Sequence, residues 1–261
     1  ACDGFNRFDA TISGSGTGAL RAGLELSSSA LYVVSGTRVV KLNAAGSPTL
    51  IAGKTATVTI TIASPAVVTW TAHGLAAGAA FVPTTTGALP TGLVAGTTYY
   101  VIGTPTTDTF QVSATAGGSA VNTSGTQSGT HTGTAGSGTI TSTGLVTMAR
   151  NRKEANADIG IVSSTGNFYI LNNDTLVDYT GLITTIESTG VLTSIAAIDG
   201  YFVLFFDNGE FFITSIDDGD TIDPLDFAKA ESNPDGGLRV VVRGRDLLLF
   251  GPKSVEGYID T

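Results

Sequence analysis

The chain has 261 residues, 42% of them hydrophobic, and carries 22 acidic against 13 basic side chains for a formal charge of −9. That is enough apolar material for one large or two smaller cores, and the sign of the charge repels phosphate at short range, which argues against a sequence-specific grip on nucleic acid. No apolar run approaches the roughly 20 residues of a membrane-spanning helix, so no membrane span is expected, and a lone cysteine, Cys2, excludes an internal disulfide.

In chain order, residues 1–53 hold four basic and three acidic side chains. No basic-then-apolar leader opens them and the first residue is Ala1, so the sequence reads as an internal or processed piece of a longer polypeptide. The run GSGTG at 14–18 lacks the lysine and the strand-to-helix setting of a phosphate loop and is expected to be a plain loop. ALYVVSGTRVVKLNAAG then reads as apolar strand, polar glycine turn, apolar strand.

Residues 54–143 change vocabulary. Threonine, serine, glycine and alanine dominate, Lys54 and Asp108 are the only charges, and both histidines and Trp70 fall here. KTATVTITIAS alternates Val58, Ile60 and Ile62 with threonines, the period of a half-buried strand; AVVTW, TTYYVI and TFQVSA supply further strands between Gly and Pro turns. By composition, residues 117–138 fit a disordered linker. His73 and His131 have no cysteine near them and make no metal set; His73 beside Gly74 reads as a turn residue.

Residues 144–261 hold eight basic and eighteen acidic residues, so the acidity of the chain belongs to them. IGIVSSTGNFYILNND, AAIDGYFVLFFDNGEFF and RVVVRGRDLLLFGPKSVEGYI repeat the strand, turn, strand pattern. Gly200 and Gly244 lie about 44 residues apart, and the gap from Gly36 to Gly166, less an inserted module of about 89 residues, leaves roughly 41, inside the 40 to 45 residue period of propeller blades. In YFVLFF, Phe202, Leu204 and Phe206 face one side and Val203 and Phe205 the other, as in a strand buried on both faces. Helix is expected only at 149–157 or 224–231. These patterns predict an all-β protein of β-propeller-type repeated antiparallel blades, three to four in number, with an inserted small β domain: blade segment 1–53, module 54–143, blades 144–261.

Chemistry is sparse. SIDDGDTIDPLDFAKAES packs Asp217, Asp218, Asp220, Asp223 and Asp226 together, but the central glycine and the twelfth-position glutamate of a calcium loop are misplaced or missing, so the stretch reads as a turn connecting blade strands, with an ion at Asp217 to Asp226 left open. No G-x-S-x-G elbow exists, and a glycosidase pair of carboxylates would have to come from distant positions. Trp70, Tyr99 and Tyr100, taken as exposed, suggest a carbohydrate-binding adhesin as an alternative. No catalytic, cofactor-binding or metal-binding residue is assigned, and no cofactor.

Residues 194–259 resemble the packaged-DNA stabilisation or tail nozzle proteins of short-tailed, P22-like bacteriophages. A hairpin and acidic turn are followed there by Leu225 to Ala228, Ala230 and Glu231, then Pro234 to Gly236, Leu249 to Gly251 and Glu256. LYVVSGTRVVKLNAAG fits the same family's upstream blade. Residues 67–118 are similar to a small β module of phage tail and virion proteins, departing at Ala79, where an acidic residue often follows the glycine. The resemblance implies a non-enzymatic subunit of the virion tail, made in the host cytoplasm. It implies assembly as a homo-oligomeric ring, a homohexamer, below portal and adaptor and beside tail fibres or spikes. Such a ring retains and conducts genomic DNA, and some acidic turn residues would face the channel or the next subunit.

Overall fold

The computed structural model describes residues 20–27, 30–43, 45–136, 138–141, 144–186, 188–230 and 235–259. Four antiparallel sheets and one closed barrel make up the fold. The first sheet holds β1 (Leu20–Ser27), β2 (Ala30–Ser35), β3 (Arg38–Asn43) and β4 (Pro48–Leu50). The barrel follows, from β5 (Lys54–Ile60), β6 (Val68–Thr69), β7 (Ala80–Thr85), β8 (Tyr99–Ile102), β9 (Thr109–Ser113) and β10 (His131–Ala135), closed in the order β10-β5-β6-β9-β8-β7. The second sheet holds β11 (Val146–Arg150), β12 (Ile159–Ser163), β13 (Phe168–Asn172) and β14 (Thr175–Asp178), and leads into a single helical turn, α1 (Thr180–Ile183). Next comes the third sheet: β15 (Leu192–Ile198), β16 (Tyr201–Phe206), β17 (Glu210–Ser215) and β18 (Asp218–Lys229). The fourth has three strands, β19 (Arg239–Arg243), β20 (Asp246–Phe250) and β21 (Val255–Ile259).

Residue pattern separates the two kinds of strand. In β5 the buried Val58 and Ile60 alternate with exposed Thr55, Thr57 and Thr59, as a wall with one wet face requires. Every residue of β12 is buried, and in β16 Phe202, Leu204 and Phe206 enter one core while Val203 and Phe205 enter another. A sheet stacked between two others is dry on both faces. Within the sheets the hairpins turn on two residues with positive φ where the chain must twist sharply: Asn173 and Asp174 between β13 and β14, Asp199 and Gly200 between β15 and β16.

The first strands of the sheets, β1, β11, β15 and β19, touch one another in succession, while the fourth strands contact mainly their own sheets. The sheets therefore radiate from a shared inner line, as propeller blades do. Hydroxyls join neighbouring inner strands: buried Thr147 accepts the Ile195 N–H at 3.1 Å, and buried Ser194 accepts the Val240 N–H at 2.8 Å. Removing one such acceptor leaves an amide buried and unpaired. Ser194→Ala is expected to lower the unfolding free energy by about 1–3 kcal/mol, read from the urea midpoint.

Several local expectations are corrected. Residues 149–157 run from the end of β11 into a loop, and 224–229 are strand, because pairing with β17 overrides helix propensity. Ile62 lies outside β5 and is 47% exposed. The linker reading of 117–138 fails as well. Ser124 pairs with Thr91, Ser128 with Ala88, and β10 closes the barrel. The glycines serve close approach there: a Cβ at Gly92 would sit 2.2 Å from the Asn122 carbonyl oxygen.

Candidate functional site: the junction of barrel and blades

The five aspartates do not converge. β18 is the strand of the third sheet farthest from the inner strand β15, so the acidic stretch is an outer-edge strand and only Ile216 and Asp217 form a turn. Its ladder pairs Ser215 with Asp218, Thr214 with Ile222 and Phe212 with Phe227. The intervening residues bulge, and the bulges sort the charges. Asp223 and Asp226 are exposed on the edge beside Pro224, which has no N–H to offer a second strand. Asp217 faces Arg152 at 3.6 Å. Asp218 and Asp220 turn inward, to where the barrel meets the second and third sheets.

That junction is a cleft of about 400 Å³ whose walls include Lys54 of β5, Lys153, Asp158, Tyr179, Asp218 and Asp220. Asp158, just before β12, accepts hydrogen bonds from the side-chain amides of Asn151 and Asn172 and from the Gly219 N–H. Tyr179, just after β14, donates its hydroxyl to Asp220 Oδ2 at 2.9 Å and accepts the Ala76 N–H of the barrel at 3.3 Å. One phenol thus bridges barrel, second sheet and third sheet. Burial, reinforced by the neighbouring Asp218 carboxyl and by the charge of Asp158, pushes the Asp220 carboxyl up to about 7. Burial, with the charge of Asp220, pushes the Tyr179 phenol well above its usual range. Lys54 places its ammonium on the carbonyl oxygens of Ala72 and His73, and desolvation lowers its pKa.

Chemically the junction is an acid with its hydrogen-bond partners already supplied by the protein. Among the described residues no three His, Cys, Asp or Glu side chains are placed to hold a metal ion. His73 is buried in the barrel; its Nδ1 accepts the Leu75 N–H at 2.9 Å, its ring meets Phe110 edge-on, and burial lowers its pKa. His131 contacts Thr85 and Gln127 instead. Trp70 and Tyr99 are only 3% and 4% exposed, so they fill the barrel core rather than a sugar-stacking face, and Tyr100 is half-buried against Gly181. Ala79 is fully buried. Cys2, the glycine run 14–18, Glu231 and Pro234 lie outside the described residues. Asp158 and Tyr179 escape sequence reasoning because nothing within several residues of either one marks it.

Residues 118–260, more than half of the chain, match the family model described as bacteriophage P22 Gp10, beta-propeller. The chain belongs to that family. It is a bacteriophage protein of propeller build. No curated protein matches it at a significant level. Among solved structures it is similar to the phage phi92 endosialidase, at 17% identity and a TM-score of 0.28, over 90% of this chain and 41% of that one. It is also similar to BamB from Moraxella catarrhalis, at 13% identity and a TM-score of 0.33, over 90% of this chain and 55% of that one. The chain therefore spans well under two thirds of either structure.

In this P22 Gp10-family propeller the clustered aspartates and the arginines of the inner strands lie on different strands. The aspartates of 217–226 lie at or near the outer strand, whereas Arg21, Arg150, Arg239 and Arg243 lie on the inner strands. Arg21 is tied to the carbonyl oxygens of Gly36 and Gly144. Edge strands gather charge because an unpaired ladder invites a foreign strand; the inner strands are relieved of that need by their neighbours.

Proposed function

We propose that this P22 Gp10-family propeller is a structural part of the phage tail, a nozzle or hub ring that retains packaged DNA and conducts it during ejection. The observation that carries the reading is the family match over residues 118–260. The build agrees with it: rigid sheets radiate from a shared inner line, and the carboxylates of Asp158 and Asp220 are spent on internal contacts. On this reading the protein is not an enzyme, sits in the virion after synthesis in the host cytoplasm, and assembles as a homohexamer. Its neighbours are portal, adaptor and tail fibres or spikes, and genomic DNA passes without sequence-specific contact. The burial of Trp70 and Tyr99 weakens one of the two grounds of the adhesin reading, the other being the likeness of residues 67–118 to a module of phage tail proteins.

The test is the mass and symmetry of the intact protein's assembly, by light scattering and negative-stain imaging. A closed six-fold ring with a channel near the ~20 Å that a DNA duplex needs is expected. A monomer or trimer would overturn the ring and send the question to glycan binding.

A further inference from the structure

One of the polar contacts between the barrel and the blades runs through a titratable group. The Ala76 N–H of the barrel reaches Tyr179, and Tyr179 reaches Asp220. Asp220 lies in a stretch of β18 that has slipped its ladder: Ser215 pairs with Asp218 and Thr214 with Ile222, leaving Gly219, Asp220 and Thr221 between them without partners on β17. A bulged segment moves at less cost than a paired one. Facing Asp220 are Asp218 on its own strand, Asp158 ahead of β12, Tyr179 after β14, Lys54 of the barrel and Lys153 from the loop after β11. Of the two lysines, Lys54 is engaged with the carbonyls of Ala72 and His73.

We propose that Asp220 and Tyr179 form a proton-dependent latch that holds the barrel on the second and third blades, closed when the Asp220 carboxyl carries its proton and loosened when it is ionised. Protonated, Asp220 is a neutral group among Asp158 and Asp218 and accepts the Tyr179 hydroxyl while Tyr179 accepts the Ala76 N–H. Ionised, it adds another negative charge to a desolvated junction. The Tyr179 hydroxyl by itself favours the charged carboxylate, but desolvation and the repulsion of Asp218 and Asp158 outweigh it, so the bulge is driven outward and takes the acceptor of the Tyr179 proton with it. The direction of the Asp220 shift agrees with this order of events.

Hydrogen exchange of residues 74–80 in the intact protein, corrected for the intrinsic pH dependence of exchange, reads the latch. In the wild type, protection is expected to fall about tenfold or more between pH 6 and pH 8.5. Asp220→Asn, which keeps the neutral shape, should hold the same protection at both values. Asp218→Asn removes a like charge and should move the wild-type midpoint to lower pH, an effect that a purely structural carboxylate would not show. Equal wild-type protection at the two pH values, a pH response kept in Asp220→Asn, or a midpoint unmoved in Asp218→Asn would each overturn the proposal.

Discussion

Phe202→Ala is expected to destabilise the protein by about 3–5 kcal/mol, the range for emptying a buried aromatic site that cannot collapse. The ring is fully buried in the core shared by barrel and blades. Two glycines make room for it. A Cβ added at Gly219 would come within 2.6 Å of the ring, and one at Gly160 within 3.4 Å of it and 2.3 Å of Ile195. Phe202 therefore stands where second and third sheets meet, directly beneath the bulge that carries Asp220. Gly160 is paired on both sides, with Ala149 of β11 and Ile170 of β13, so on that side the chain has little freedom to fill the void. Urea unfolding followed by circular dichroism would measure the loss. A cost under about 1 kcal/mol would mean that the blades repack and are not tightly stacked at this point.

Raising the pH from 5 to 8.5 is expected to remove roughly 2–3 kcal/mol of stability through Asp220 alone, and Asp220→Asn is expected to abolish that part of the slope. The carboxyl titrates at about 7 in the folded protein against an ordinary 3.8. Between those values the folded state holds a proton that the unfolded chain has released, so stability falls as pH rises. The contribution is fully present below about 3.8 and is lost as pH climbs through about 7. At pH 8.5 the asparagine variant should be the more stable protein, because the desolvation of a charge has been removed and the shape kept. Chemical denaturation of both proteins at a series of pH values checks this. Parallel profiles would show that Asp220 is solvated in the folded state.

Much of the fold is legible along the chain because its causes are local. The hairpins repeat at 30–46, 159–174, 196–212 and 239–259, and the aromatic run 201–206 declares burial on both faces by having no polar position to show to water. Turn chemistry is legible for the same reason: Asp199 and Gly200 tolerate positive φ whatever lies around them. Two of the misread stretches share one property, that composition pointed away from pairing. Residues 117–136 are glycine- and serine-rich yet ordered, since the backbone of 122–129 closes against 87–92 and β10 closes the barrel. Residues 224–229 contain helix formers yet lie in β18 against β17.

The candidate site was legible only in part. The acidic stretch draws the eye through Asp218 and Asp220, but Asp158, which holds the Gly219 N–H, and Tyr179, which holds Asp220, both flank the second sheet, and Ala76 comes from the barrel. By itself, then, the sequence determined an all-β chain of repeated hairpins and the faces its apolar strands would bury, since period and turn geometry are properties of neighbouring residues. Only the tertiary structure decided which of five clustered aspartates went to the edge and which to the interior. That choice depends on where a ladder slips and on which distant backbone is already waiting at the slip, and neither is encoded in any single segment.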